Sequence, residues 1–369
     1  MNELIKNARI LICVGSGGVG KTTVASAIAL RGAQMGRRVL VLTIDPSRRL
    51  KSTMGLQEAD EAAVSHPSIQ SPGTLTAAVI NNQKTFDQFV SRAADRSEAV
   101  KKIFKNKLYI QLSTTLSGSQ EFTALEKLYS SYESGLYDLI VLDTPPTKHA
   151  IDFLQSPQKL SALFNEKMAR WFRDPGGEKM GFFSNLIRSG TRQVFRALEI
   201  LTGSEFIREL ADFFQSIQGW QSKLQDRIQQ VGRLMADPQT HFLLVTSFDS
   251  AKLKEAEYFS QEIQKGGYHL SVVIINRSYP QGLDLDQKVQ GQTPLEKTYL
   301  EYQDFYIQRR ELYRKFSIRM SGARELNESS EKQKDQVGDK GEVVNLPEMS
   351  HDISDLEGIV EIAKNIAEV

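Results

Sequence analysis

"RILICVGSGGVGKTT", residues 9–23, joins an apolar, β-branched run to a glycine-rich loop and the start of a helical pattern. The loop has Gly15, then four residues, then Gly20, Lys21 and Thr22. Glycines let backbone N–H groups close around phosphate oxygens, and the N-terminus of the following helix adds a favourable partial charge. We therefore predict a phosphate-binding loop between a strand and a helix.

The residue types of this loop suit a nucleotide bound together with Mg²⁺. Lys21 would supply a positive charge to the β- and γ-phosphates, and Thr22 would offer its hydroxyl to the metal. Thr23 is placed to reach the α-phosphate. The alternative is a glycine-rich turn without a ligand. The predicted nucleotide-binding residues of the loop are Gly17, Gly18, Val19, Gly20, Lys21, Thr22 and Thr23.

Two acidic residues end apolar runs further along the chain. Asp45 lies in "TIDPSRRL" and Asp143 ends "YDLIVLD". Ligands of open α/β sheets bind at the carboxyl ends of the strands, where such a carboxylate can orient Mg²⁺ or the attacking water. The alternative is that either carboxylate only caps the helix that follows. We predict that Thr22, Asp45 and Asp143 surround the metal.

Seven short apolar runs predict the strands of the sheet. They are nearly continuous rather than alternating, which is typical of strands that are covered on both faces, as in a parallel sheet. Helical patterns lie between most of them. The sequence therefore predicts an α/β, doubly wound, mostly parallel sheet with an inserted helical subdomain. The runs span residues 9–14, 37–45, 75–80, 137–143, 241–248, 270–277 and 342–347.

The order of these patterns also predicts the domain boundaries. Helical patterns that follow one another without a strand predict a helical subdomain. A polar stretch at 281–341, which ends in "NESSEKQKDQVGDKGE", predicts an insertion that is partly a mobile loop. The predicted core comprises residues 1–85, 134–150 and 236–369, and the predicted helical subdomain comprises 86–133 and 151–235.

Composition excludes several classes of protein. The net charge of +1 gives no electrostatic case for nucleic acid or anionic lipid. The single cysteine, Cys13, allows neither an internal disulfide nor a Cys-x-x-Cys metal site. No apolar stretch is long enough for a bilayer span, and the N-terminal run is too short for a signal peptide. We therefore expect a cytoplasmic protein that does not bind nucleic acid and has no stable membrane anchor.

The order of the motifs resembles the ArsA-type ATPases, P-loop NTPases related to MinD and to nitrogenase iron protein. This family includes arsenite-pump ATPases and the ATPases that target tail-anchored membrane proteins. The resemblance covers most of the α/β core and is more specific than the loop alone. The segments that carry it are "GSGGVGKTT", "DPSRRL", "GSQEFTALEKLY", "DTPPTKHAIDFLQSP", "VTSFDSAKLKEAEYF", "VVIINR" and "NLPEMSHDISDLEGI".

The resemblance implies a role for each matching residue. Lys21 and Thr22 would bind phosphate and Mg²⁺, Asp45 would position the hydrolytic water, and Asp143 would support the metal. Asn276 would hydrogen-bond adenine, because its amide offers a donor and an acceptor side by side. Arg277 and the backbone around Pro347 would border the nucleotide. The implied cofactors are ATP and Mg²⁺.

One departure from the family concerns the mechanism. The family commonly has a lysine at the position of Ser16, and that lysine reaches across a dimer to the partner's nucleotide. A serine cannot supply this charge. The segment after Asp45 (the first switch) has Arg48 and Arg49, and the segment after Asp143 (the second switch) has Lys148. At these positions the family usually has smaller or uncharged residues. We predict that Arg48 replaces the missing cation; the alternatives are solvated surface residues or a paralogue that supplies the lysine.

The resemblance leaves four functions to compare. The first is a targeting ATPase, a homodimer or a heterodimer with a paralogue, whose segment 151–235 accepts a hydrophobic helix of a client. The second is the energising subunit of a metalloid pump, which Cys13 alone does not suit. The third, a positioning ATPase, is disfavoured by the acidic to neutral C-terminus "SDLEGIVEIAKNIAEV". The fourth is a scaffold that binds nucleotide with little turnover.

Overall fold

A computed structural model of the chain describes most of the predicted α/β core. The remaining residues, which include most of the predicted helical subdomain, lie outside the described ranges. The described residues are 1–44, 61–93, 117–144, 221–280, 284–289, 292–321 and 342–368, together with Leu50, Met54 and Phe104.

The centre of the fold is an eight-stranded sheet in the order β3-β4-β2-β5-β1-β6-β7-β8. Strand β3 runs antiparallel to β4 at one edge, and all the other neighbours are parallel. The prediction of a mostly parallel α/β sheet is confirmed. The strands are β1 (Ile10–Gly15), β2 (Arg38–Thr43), β3 (Glu61–Val64), β4 (Thr74–Val79), β5 (Leu139–Asp143), β6 (Thr240–Ser247), β7 (His269–Asn276) and β8 (Glu342–Asn345).

The described residues also form helices, and some of these belong to the second of the two compact units given below. Their bounds are α1 (Asn2–Asn7), α2 (Lys21–Gln34), α3 (Asn82–Ala93), α4 (Ser117–Glu133), α5 (Gln221–Met235), α6 (Ser250–Lys265), α7 (Pro294–Ser321) and α8 (Leu356–Glu368). None of the helices in these ranges has both the length and the apolarity that a bilayer span requires.

The central strands are apolar on both faces because both faces are covered. On β1, Leu11 and Cys13 belong to the core cluster that includes α2 and α8, and the alternate residues Ile10 and Ile12 are equally buried. Every position of β1 is buried. This burial explains why the sequence shows continuous rather than alternating apolar runs.

The chain divides into two compact units. One comprises Met1–Ile80, Leu128–Leu154 and Leu234–Val369, and the other comprises Asn81–Lys127 and Gln155–Arg233. In the second unit the carboxylate of Glu126, only 2% exposed, lies 2.9 Å from Arg227. An ion pair buried to this degree fixes the positions of α4 and α5 within that unit, since a lone buried charge would be costly.

Strand β3 and helix α7 are described elements that were not predicted from the sequence. Strand β3 is short and alternates between exposed and buried positions at the sheet edge. Helix α7 lies inside the stretch that was predicted only as a polar insertion, and it buries Tyr306, Phe316 and Met320. The predicted mobile segment at the end of this insertion lies outside the described residues.

Candidate functional site

The glycine-rich loop connects β1 to α2 at the carboxyl edge of the sheet. Gly18 and Gly20 have φ angles of 79° and 84°, which only glycine adopts readily. Gly15 pairs with Val245 on β6, and a Cβ atom on Gly15 would lie 2.0 Å from the Val245 carbonyl oxygen. Glycine is therefore favoured at Gly18 and Gly20 by backbone conformation, and at Gly15 by the close approach of β6 as well.

Lys21 is the first residue of α2, and its side chain turns back over the loop. It is 7% exposed, and Nζ donates a hydrogen bond of 2.8 Å to the carbonyl oxygen of Ser16. A lysine ammonium is a donor with three N–H groups and no acceptor, which suits it to phosphate oxygens. The helix N-terminus and this ammonium bring positive charge to the same place, which is the arrangement that phosphate groups favour.

Asp143 ends β5 between the ends of β1 and β2. Its carboxylate is 1% exposed, and Oδ2 accepts hydrogen bonds from Thr22 (2.6 Å) and Thr43 (2.8 Å). Thr144 follows, and its hydroxyl donates to the carbonyl of Cys13 at 2.8 Å. The structure therefore brings together the two predicted metal-binding side chains that it describes, Thr22 and Asp143.

These two groups fit one part of a Mg²⁺ site. Mg²⁺ prefers oxygen ligands, is usually held by one or two protein groups, and takes water and substrate phosphates for the rest. No cluster of three or more histidine, cysteine, aspartate or glutamate side chains occurs among the described residues. A hydroxyl paired with one buried carboxylate is the donor set expected where phosphate completes the coordination.

Asn276 lies at the end of β7, next to the loop. It is 7% exposed, and its Nδ2 donates a 2.9 Å hydrogen bond to the carbonyl of Val19. This bond supports the loop, a role that the sequence did not indicate. The amide still has a second N–H group and a carbonyl oxygen, which are the atoms that the predicted contact with adenine would use. That contact stays a prediction.

The chain around Pro347 is held beside Asn276 and Arg277. Ser278 donates from its backbone N–H (2.9 Å) and from its hydroxyl (2.8 Å) to the carbonyl of Leu346. Arg277 has a φ of 54°, in the left-handed region. The two segments predicted to border the nucleotide are therefore neighbours in the structure.

The predicted catalytic residues Asp45 and Arg48 lie outside the described residues, as does Lys148. The end of β2 is described, and Ile44 donates its backbone N–H to the carbonyl of Asp143 at 3.3 Å. The chain that leads to Asp45 therefore leaves the sheet next to the β5 end. The catalytic roles of Asp45, Arg48 and Lys21 remain predictions.

Ser16 has a partner that the sequence did not reveal. The side chain is 3% exposed, and its hydroxyl donates a short hydrogen bond to Oε2 of Glu255 on α6. Lys252, one turn earlier, lies 3.3 Å from the same carboxylate. The hydrogen bond from Ser16, followed by the contacts with Lys252, lowers the pKa of Glu255 below its usual value. The only sequence signal for this contact was the departure at Ser16 itself.

Cys13 is inaccessible. It lies within β1 and is fully buried, and burial, with a smaller contribution from the nearby Asp143 carboxylate, raises the pKa of its thiol. A thiol must be deprotonated to act as a soft ligand, and burial disfavours the thiolate, so Cys13 in this position is a small core residue.

Comparison with known families gives a match over most of the chain. The model of the ArsA ATPase family, described as anion-transporting ATPase, matches residues 8–333. This range contains the loop, both strand-end aspartates and Asn276.

Individual relatives are similar at lower levels of identity. The "Putative arsenical pump-driving ATPase 1" of Aquifex aeolicus is 24% identical over 282 residues, which cover 74% of this chain and 64% of that protein. "ATPase get3" of Aspergillus terreus is 25% identical over 313 residues, 82% of this chain and 85% of that protein. "ATPase ASNA1 homolog 1" of Paramecium tetraurelia is 24% identical over 300 residues, 79% of this chain and 83% of that protein. The chain thus spans less than two thirds of the Aquifex protein but most of the other two.

Proposed function

The chain belongs to the anion-transporting ATPase family and is an ATPase, and we propose that it binds ATP with Mg²⁺ at the glycine-rich loop and hydrolyses it there. The observation that supports this site most directly is the hydrogen bond of 2.6 Å between Thr22 and Asp143. It joins the loop hydroxyl to a buried strand-end carboxylate, the two groups that contact Mg²⁺, directly or through water, in P-loop NTPases.

Each residue of the proposed site has a distinct task. Thr22 and Asp143 would hold Mg²⁺, which neutralises phosphate charge when it is bound. When nucleotide binds, the Lys21 ammonium would donate to phosphate oxygens instead of the Ser16 carbonyl oxygen. Phosphate oxygens are the stronger acceptors because they are charged. Asp45 would orient the attacking water. Asn276 would keep the loop in place through Val19 and recognise adenine with its remaining amide atoms.

The cation that the family supplies from the loop lysine must come from another residue or from a partner. Ser16 is neutral, and its hydroxyl donates to a carboxylate. We propose that Arg48 supplies the positive charge, within one chain or across a nucleotide-dependent dimer. The alternative is a heterodimer in which a paralogue that retains the lysine supplies this charge.

Replacing Arg48 by alanine should lower ATP turnover by about 10²-fold or more, since one charged group that stabilises the transferring phosphoryl is worth this much. The matched control is Arg49→Ala, which removes the neighbouring cation and should retain most of the activity. Steady-state phosphate release, measured at several protein concentrations, separates action within one chain from action across a dimer. Equal turnover in wild type and Arg48→Ala would remove Arg48 from the mechanism.

The proposed use of the ATPase is to handle hydrophobic clients. Two of the similar proteins are a get3 ATPase and an ASNA1 homologue, and the chain covers more than four fifths of each. The Aquifex relative is named for an arsenical pump, but a site for a thiophilic metalloid needs several soft thiolate ligands. Cys13 is the chain's one cysteine and is fully buried. This burial favours client handling over metalloid transport.

A fluorescent peptide with about 20 apolar residues, the length of a membrane span, tests the client proposal. With Asp45→Asn, which should retain ATP, we expect affinity for the peptide to be at least about 5-fold higher with ATP than with ADP, the lower end of typical coupling between two sites. A polar peptide of the same length is the control. Equal affinity in both nucleotide states, or no binding in either, would contradict client handling.

A further inference from the structure

Ser16 is held from two sides. Its hydroxyl donates to Glu255, and its carbonyl oxygen accepts the 2.8 Å hydrogen bond from Lys21 Nζ. Ser16 is 3% exposed, whereas the Glu255 side chain is 45% exposed, so the hydroxyl is buried and the carboxylate borders solvent. The second residue of the loop is therefore connected to α6 through its side chain and to α2 through its backbone.

Helix α6 is a rigid support for this contact. Its N-terminus is capped by Asp249, whose carboxylate accepts hydrogen bonds from the N–H groups of Ala251 (2.9 Å) and Lys252 (3.1 Å). Leu253 and Ala256, on either side of Glu255 in the sequence, are both 3% exposed. The backbone of Glu255 is therefore held in place, and its side chain, which is 45% exposed, is held by its contacts with Ser16 and Lys252.

We infer that Glu255 is a positioning residue for nucleotide binding, which holds Ser16 so that the loop keeps the shape that receives phosphate. This inference rests on the proposed function. It assigns residue 16 a task within its own chain, where the family's lysine acts across a dimer. A loop that is already ordered binds with less loss of conformational entropy, and this ordering is the contribution of the hydrogen bond.

The charge of Glu255 acts in the opposite direction. Its carboxylate would repel nucleotide phosphates, and Lys252 at 3.3 Å offsets part of that charge. Removal of the carboxylate therefore has two effects, loss of the hydrogen bond to Ser16 and loss of repulsion. Two substitutions separate these effects, because glutamine keeps an acceptor oxygen without the charge, whereas alanine removes both.

The test measures the dissociation constant of a fluorescent ATP analogue with Mg²⁺ on the full chain. We expect Glu255→Ala to weaken binding about tenfold, the scale of one hydrogen bond to a charged group, and Glu255→Gln to stay within about threefold of wild type. The KM for ATP should rise to the same extent while kcat changes less. The matched control is Glu262→Ala, which removes another carboxylate of α6 that pairs three residues away, with Lys265 at 2.8 Å.

A second variant confirms that Glu255 acts through the loop. Ser16→Ala should weaken binding as much as Glu255→Ala, and the double variant should be no weaker than either. If Glu255→Ala does not fold, Ser16→Ala gives the same test. Tighter binding in both Glu255 variants, or unchanged binding in Glu255→Ala, would overturn the inference alone. A wild-type chain that binds no nucleotide would overturn the proposed function and the inference with it.

Discussion

Replacement of Lys21 by alanine is expected to lower ATP turnover by about 10²- to 10³-fold, the scale for loss of one preorganised group that stabilises developing charge. Lys21 begins α2, and its ammonium lies over the loop within 2.8 Å of the Ser16 carbonyl. Its position over the loop is why its loss should affect the transferring phosphoryl group directly. Phosphate release at saturating ATP measures the effect.

The control for Lys21→Ala is Lys265→Ala, at the end of α6. Lys265 is exposed and pairs with Glu262, so its loss should change turnover by less than about twofold, as exposed ion pairs contribute little. Thermal unfolding of both variants shows whether the fold is retained. A Lys21→Ala protein that is folded and turns over ATP at the wild-type rate would show that this loop is not the catalytic site.

Replacement of Gly15 by alanine is expected to destabilise the fold by about 3 to 5 kcal/mol, from overpacking together with backbone strain. The new Cβ atom would lie 2.0 Å from the Val245 carbonyl oxygen, and the φ of 149° is one that side chains rarely adopt. Because Gly15 and Val245 belong to paired central strands, neither backbone can move without disturbing the sheet. Urea unfolding without nucleotide measures the change.

Gly18→Ala is the matched control for Gly15→Ala. Gly18 also has a positive φ, 79°, but a Cβ atom there would have no atom within 4 Å. It should therefore show only the backbone strain, about 1–2 kcal/mol. The difference between the two variants isolates the contact with β6. Equal destabilisation by both would mean that the loop and β6 are not packed as described.

The sheet was largely predictable because strands that are buried on both faces have continuous apolar runs in the sequence. All seven apolar runs correspond to strands, from β1 to β8. Strand β3 has no such apolar run, because it consists of four residues at the sheet edge and only Val64 among them is buried. Its position depends on pairing with β4, which is a contact between distant parts of the chain.

Helix α7 was missed for a related reason. It is rich in charged and aromatic residues, and Leu295 and Phe305 are exposed on it at 80% and 47%. Its buried residues, such as Tyr306 and Phe316, are too widely spaced to form a clear apolar stripe. Here the contacts of the helix, rather than its own pattern, determine which residues face the core.

The candidate site also contains contacts that the sequence could predict and contacts that it could not. The proximity of Thr22 to Asp143 was predictable, because the loop follows β1 directly and parallel strands bring their carboxyl ends to one edge. The roles of Lys21, Thr22 and Asp143 stay predictions. The contacts of Ser16 with Glu255 and of Asn276 with Val19 join residues 239 and 257 positions apart. They depend on how α6 and β7 pack beside the loop, and no local pattern encodes that packing.

Phosphate release from ATP by the wild-type chain, with Mg²⁺ and with the metal removed by a chelator, tests the proposed site as a whole. We expect ATP hydrolysis that requires Mg²⁺ and that falls by about 10²- to 10³-fold in Lys21→Ala. We also expect GTP to be a weaker substrate, because Asn276 would recognise adenine. Phosphate release that is independent of Mg²⁺, or no release of phosphate from ATP at any protein concentration, would contradict the proposed site.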